Sequence, residues 1–204
     1  MTNHDIARLA AERPDFAAIA EWIPRGASVL DLGCGDGSLL RYLKETCAVK
    51  GYGVEINDLD IVSCIANNVN VIQNDLESGL ADFEDGSFDF VILSQTLQAT
   101  RHTEPLIREI LRVGKAGIVS FPNFGYWRNR IRVMLGNMPL SSELPYQWYN
   151  TPNVHLCTQH DFEEFCGKQG IVILGRRVMT GEREIKLLHN LLGSTAVYRF
   201  QRGI

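Results

Sequence analysis

The sequence predicts a single domain built on a doubly wound, seven-stranded α/β sheet. Three observations carry that prediction. Short apolar runs alternate with helically spaced apolar positions from Ser28 to Phe121, a glycine turn follows the first run, and two strand candidates at the tail lack a long helix between them. At 204 residues, with 45% drawn from AVILMFWYC and 22% charged, the chain buries a core of its own, which excludes disorder, collagen and coiled coil.

The strands come first. Ser28 to Leu32, Val49 to Ile56, Asn70 to Gln73, Phe88 to Ser94 and Gly117 to Phe121 are unbroken apolar cores, as a parallel sheet covered on both faces requires. Helical spacing lies between them: Leu39, Leu40 and Leu43 after the first strand, Leu59, Val62, Ile65 and Ala66 after the second, and Leu106, Ile107, Ile110 and Leu111 before the fifth. The third helix, around Gly79 to Phe83, is expected to be short. In the tail, Ile171 to Met179 and Ala196 to Arg202 are joined by a charged link beginning at Thr180–Gly181, so an antiparallel pair at the sheet edge is expected. Thr158 is placed to cap the helix that contains Phe162 and Phe165.

Charge and cysteine content narrow the class. A net charge of −4 gives no positive field to recruit nucleic acid or anionic lipid, and no apolar run approaches the roughly 20 residues that cross a bilayer. Asp5 and Glu12 stand where a secretory signal would be apolar, so a cytoplasmic protein is expected. Five scattered cysteines, never spaced CxxC, read as reduced thiols rather than a disulfide framework or zinc site, and no HxxE or HExxH spacing suggests a metal.

The glycine turn is the most informative stretch: Val29-Leu30-Asp31-Leu32-Gly33-Cys34-Gly35-Asp36-Gly37 runs from a strand through a sharp bend into a helix. Bare backbone is needed where the chain reverses and approaches a ligand. A dinucleotide site needs a third glycine where Ser38 stands, and a P-loop needs GK[ST], which is absent. Asp31 would repel a pyrophosphate and suits a positive amino group. Glu55 ends the second strand about twenty residues on, where an acid accepts ribose hydroxyls, with Ile56 beside it to pack on a purine face. Asp75, after the third strand, falls where an acid accepts from an adenine amine. Singly, Glu55 and Asp75 also suit solvated loops, and Asp31 a turn or cap. Together, at the ends of successive strands, they point to a nucleoside site.

At these residues the sequence resembles the class I S-adenosylmethionine-dependent methyltransferases, a Rossmann-like fold ending in an antiparallel strand pair. The resemblance implies that Asp31, Gly33, Cys34 and Gly35 hold the methionine end, Glu55 and Ile56 the ribose and its surroundings, and Asp75 with Leu76 the adenine. Ser94, at the end of the fourth strand, completes the expected set for S-adenosylmethionine or S-adenosylhomocysteine.

Residues 122–157 form an aromatic-rich insertion after the fifth strand. Residues 121 to 149 hold seven of the chain's eighteen aromatics, where an even spread would place two or three. Trp127, Ile131, Met134 and Leu135 share one helical stripe, Arg128, Arg130 and Arg132 lie off it, and Gly136 offers a stop. The stripe suits packing on the sheet, or a lid or docking surface. Six stretches resemble the MetW family of methionine-biosynthesis proteins from about Ala17 to Phe200. They are Ser94-Gln95-Thr96-Leu97-Gln98, Arg108 to Gly114, Val119 to Gly125, Leu144 to Tyr149, Thr151-Pro152-Asn153, and Asn190-Leu191-Leu192-Gly193. That resemblance implies a bacterial cytoplasmic protein acting with a MetX-type homoserine O-acyltransferase.

A catalytic base is harder to find. Ser94 and Gln95 hydrogen-bond well but are poor bases. His102 reads as a surface or capping residue, and His155 as the one histidine that would face the ligand's sulfur. Cys34 sits at a helix start that favours a thiolate, although a small turn-filling residue serves equally. Two functions therefore stay open: a regulatory S-adenosylmethionine-binding subunit, and an active methyltransferase on an unknown small-molecule acceptor.

Overall fold

The structure, a computed structural model, describes residues 3–203. Two helices open the chain, α1 (Asn3–Glu12) and α2 (Pro14–Ala20), the second begun by a proline whose fixed φ suits a helix start. Alternation follows: β1 (Ser28–Leu32), α3 (Ser38–Cys47), β2 (Lys50–Glu55), α4 (Asp58–Ala66), β3 (Asn70–Gln73), β4 (Phe88–Ser94), α5 (Thr103–Val113) and β5 (Gly114–Pro122). The insertion carries α6 (Trp127–Met134). The tail adds α7 (Gln159–Lys168), β6 (Ile171–Thr180), β7 (Arg183–Glu184), α8 (His189–Leu192) and β8 (Thr195–Arg202).

One mixed sheet runs in the order β3-β2-β1-β4-β5-β8-β6-β7, with β1 to β5 parallel and β8 antiparallel to both neighbours. Eight strands replace the seven expected. The extra one, β7, is two residues of the charged link that fold back on the end of β6, where Gly181 turns with φ +54°. The tail strands pair antiparallel as expected, but β8 lies inside, between β5 and β6, rather than at the edge.

Successive strand residues serve opposite cores. Val29, Ile92, Ile118 and Val197 face α2 and α3, packing with Phe16, Ile19, Leu39, Leu40 and Leu43. Leu30, Val91, Leu93, Val119, Tyr198 and Phe200 face α5 and α7, packing with Ile107, Ile110 and Phe162. This two-sided burial explains why the strands read as continuous apolar runs rather than alternating ones.

Two helical expectations need correction. Residues 79–83 form turns, not a helix; the only helical piece of that crossover is a 3-10 turn, Leu76–Ser78. Leu80 instead plugs the second core, and the Arg112 guanidinium holds the loop by donating to the Leu80 and Phe83 carbonyls at 2.9 Å each. On α4 the apolar stripe Leu59, Val62, Ile65 and Ala66 faces outward, and Cys64 is the helix's one buried side chain. Cys64 packs beneath the glycine turn, where a Cβ on Gly37 would stand 3.0 Å from its Sγ. Two local expectations hold: a capping box at Thr158 with Asp161, and a left-handed Gly136 just past α6. Among the described residues no helix is long and apolar enough to cross a membrane.

Candidate functional site

The carboxyl ends of β1 and β2 make a built cradle. Gly33 and Gly35 turn the chain with φ +67° and +54°, and the amides of Gly33 and Cys34 both donate to the Val54 carbonyl, at 2.8 and 3.1 Å. At Gly33 a Cβ would stand 2.6 Å from Thr96 Cγ2, whereas at Gly35 nothing lies within 4 Å. The first glycine is therefore demanded by packing, while the second leaves open space where a Cβ would stand.

Glu55 is 8% exposed and points into this turn. Its Oε2 accepts from Gly35 N at 2.9 Å, and its Oε1 accepts from Ile56 N at 2.8 Å and Asn57 N at 3.0 Å. A carboxylate oxygen offers two acceptor directions. Oε1 is thus filled and Oε2 keeps one direction for a ligand hydroxyl.

Asp31, on the last turn-side part of β1, is 1% exposed, and its Oδ1 has no hydrogen-bond partner among the described residues. Burial pushes its carboxyl up to about 8, with the Arg13 charge opposing and the Glu55 and Asp15 charges adding to the rise. A buried acceptor without a donor carries a desolvation cost of roughly 1–3 kcal/mol. A cationic donor would remove it.

The other expected residues occupy different places. Ile56 is exposed, Leu76 is half-buried, and Asp75 is exposed, with its Oδ1 capping the 3-10 turn through Glu77 N at 2.9 Å. Ile56 directly follows β2, and Asp75 and Leu76 follow β3, so they stand at the same carboxyl end of the sheet as the cradle. Cys34 lies under the turn, its Sγ 3.7 Å from Cys64 Sγ, and burial raises both thiols, which disfavours a reactive thiolate. Ser94 spends its hydroxyl in a cluster that the sequence reading missed. Arg13 grips Asp15 through Nε and Nη2 at 3.0 and 2.9 Å, Nη2 also donates to Ser94 Oγ at 3.0 Å, and Ser94 and Ser120 hydroxyls donate to Asp15 Oδ2 at 3.0 and 3.1 Å. Its only signal in the sequence was Arg13-Pro14-Asp15 at a helix start followed by the apolar spacing Phe16, Ile19 and Ile23.

Two of the described histidines, His102 and His155, make their contacts outside this cradle. His102 Nδ1 sits 2.5 Å from Glu77 Oε2 on the surface. His155, the histidine weighed against facing the ligand's sulfur, is exposed with its Nε2 3.3 Å from the Arg101 carbonyl. Among the described residues no group of three or more His, Cys, Asp and Glu could hold a metal ion.

The insertion is anchored at both ends to this side of the sheet. Buried Asn123 donates to the carbonyls of Asn190 and Gly193 at 3.1 and 2.8 Å, so two distant stretches of the sequence meet in one knot. At its far end the Val154 and His155 amides donate to the Gln98 carbonyl at 2.8 and 3.0 Å. Between these anchors the α6 stripe does not pack on the sheet: Trp127 and Ile131 are exposed and Met134 is 84% exposed. Trp148 and Tyr149 also face out, ring to ring at 5.7 Å.

Comparisons with known proteins place this geometry. The model of the methionine biosynthesis protein MetW family matches residues 13–200. A bifunctional methionine biosynthesis protein MetXA/MetW of Rhodopirellula baltica is 38% identical over 202 residues, covering 92% of this chain and 32% of that protein. The chain thus spans about a third of the length of the curated relative it matches. Among solved structures, magnesium protoporphyrin IX methyltransferase from Synechocystis with bound S-adenosylhomocysteine superposes with TM-score 0.63 at 19% identity, covering 95% of this chain and 84% of that one. The [4+2]-cyclase SpnF gives TM-score 0.68, also at 19% identity, with 96% and 82% covered. Likeness at such identities shows the fold, a Rossmann-like methyltransferase fold.

Proposed function

The chain belongs to the MetW family of methionine biosynthesis proteins, and from that premise we propose that it binds S-adenosylmethionine or S-adenosylhomocysteine as the regulatory partner of a MetX-type homoserine O-acyltransferase. The observation that carries the ligand half is Asp31: a buried carboxyl with a free Oδ1 beside an open glycine turn suits the ammonium of an amino-acid end. Gly35 supports this reading with open space where a side chain would stand, and Glu55 with the one acceptor direction left on Oε2 for a ribose hydroxyl. Asp75 and Leu76, just past β3, are assigned to the adenine, Ile56 to its open face. Bound S-adenosylmethionine would present an electrophilic methyl group.

The partner half draws on two facts. The Rhodopirellula relative joins MetXA and MetW in one polypeptide, and this chain carries an exposed aromatic face on its insertion. Aromatics and arginine are enriched where proteins dock. Since S-adenosylmethionine is made from methionine, its occupancy reports end-product level to an early step. Methyl transfer is the weaker reading, because His102 and His155 make their contacts outside the cradle and Ser94 is engaged with Arg13 and Asp15. The SpnF likeness adds that this fold also occurs in a protein described as a cyclase.

The test is a titration of S-adenosylmethionine into the chain with and without the acyltransferase. Linkage requires that the partner shift ligand affinity by the factor by which ligand shifts partner affinity. Equal dissociation constants in the two titrations would remove the regulatory coupling.

A further inference from the structure

We infer that the groove between α6 and residues 140–143 docks an acidic, apolar-anchored segment of the acyltransferase; this docking site rests on the partner reading above and specifies what the partner presents. The groove measures about 510 Å³. Trp127, Ile131 and Leu140 give it an apolar lining, Arg128 and Arg132 a cationic one, and Glu143 closes one side. Its pattern follows from helical spacing: Trp127 and Ile131 are four residues apart, as are Arg128 and Arg132, so each pair shares a face of α6 and the two faces adjoin. Trp127, Ile131 and Leu140 are exposed, although all three are large apolar side chains.

Charge says what covers this face. Residues 122–142 hold three arginines and no Asp or Glu, in a chain whose net charge is −4. Among the described residues none of the three forms an ion pair. Arg130 donates through Nε to the Gly125 carbonyl at 2.5 Å, Arg132 through Nε to the Met138 carbonyl at 3.3 Å, and the Arg128 guanidinium lies 5.3 Å over the Trp127 ring. The nearest acid in sequence, Glu143, is engaged elsewhere: its Oε1 accepts from Ser194 Oγ and its Oε2 from Ser142 Oγ, each at 2.8 Å. Two guanidinium groups one helical turn apart, beside an apolar slot, are complementary to carboxylates flanking a bulky apolar side chain. The apolar surface also continues past the groove through Met134 and Leu135, both exposed on the same helix end. A small anion filling the groove would leave that surface in water, whereas a protein segment covers both. Three cations beside an apolar floor favour a protein over a nucleic acid, whose binding is dominated by phosphate contacts.

The experiment is surface plasmon resonance of the full chain against the homoserine O-acyltransferase at low and high sodium chloride. Charged side chains at an interface act on the association rate and are screened by salt, whereas a buried apolar anchor acts on the dissociation rate. The double variant Arg128→Glu, Arg132→Glu should associate at least tenfold more slowly than the wild type at low salt, with the gap closing to within threefold at high salt. The pair Arg128→Lys, Arg132→Lys keeps the charge and should associate within threefold of the wild type. Ile131→Ala should keep the association rate and dissociate at least tenfold faster. A double reversal that associates like the wild type at low salt, or that is slowed by the same factor at both salt concentrations as a loosened α6 would be, overturns the docking site. A wild type that does not bind the acyltransferase at all overturns the partner reading and this site with it, a result distinct from unchanged rates in the variants.

Discussion

The Gly35 amide donates to Glu55 Oε2 at 2.9 Å, so the acid assigned to the ligand's sugar is also the group that fixes the glycine turn. Three backbone N–H groups converge on this one carboxylate. Glu55→Gln keeps the shape but turns an NH2 group toward at least one of those donors. A loss of about 1–3 kcal/mol is expected from the unpaired donor. At about 2–4 °C per kcal/mol for a chain this size, thermal melting should fall by several degrees. An unchanged melting temperature would mean that the turn holds itself.

The two turn glycines should separate folding from binding. Gly33→Ala sets a Cβ 2.6 Å from Thr96 Cγ2 on top of left-handed backbone, whereas Gly35→Ala has only the backbone term, about 1–2 kcal/mol. Urea unfolding should show Gly33→Ala as the less stable variant, partly rescued by adding Thr96→Ala. Gly35→Ala should stay folded yet lose S-adenosylhomocysteine affinity, because the new methyl group stands on the open side. Equal unfolding midpoints for the two single variants would contradict this division.

Asp31 sets a pH dependence whose sign is fixed by its burial. With the native carboxyl raised to about 8, the folded chain keeps a proton that the unfolded chain sheds from about pH 4 upward. Stability therefore declines as pH rises between those values, and the decline stops above the folded value. Asp31→Asn should flatten this slope in denaturant titrations. Binding an ammonium there at pH 7 should release close to one proton, seen as a dependence of the calorimetric heat on buffer ionisation enthalpy. That dependence should vanish in Asp31→Asn.

The insertion's exposed aromatics should matter for association and little for folding. Trp148 is 74% exposed, so Trp148→Ala should leave stability within about 0.5 kcal/mol. Surface plasmon resonance against the acyltransferase should show at least tenfold weaker binding, as for a truncated hot-spot residue. Unaltered affinity would move the interface elsewhere, and the outward stripe Leu59, Val62 and Ile65 on α4 is the next face to substitute.

Much of this architecture was legible because two-sided burial writes itself as apolar runs: β1 and β3 kept their expected bounds, and the tail strands paired as foreseen. The glycine turn and Glu55 were legible because their spacing from a strand end is local chemistry. What stayed hidden depends on tertiary fit. The stripe on α4 has helical spacing, yet the face the helix buries is the one carrying Cys64, which packs under Gly37, and the larger side chains face out. The crossover at residues 79–83 lost its helix to the anchoring of Leu80 and Arg112. The Arg13–Asp15 cluster escaped notice because Ser94, which bonds Arg13, and Ser120, which bonds Asp15, lie more than seventy-five residues away in sequence and no local pattern joins them.

The most direct measurement is calorimetric titration of S-adenosylhomocysteine into the unmodified chain beside Asp31→Asn and Glu55→Gln. A one-to-one binding heat in the unmodified chain, with affinity reduced at least tenfold in each variant, is the predicted result. No heat in the unmodified chain, or the same affinity in all three, would show that the buried acids at the ends of β1 and β2 serve the fold and hold no ligand.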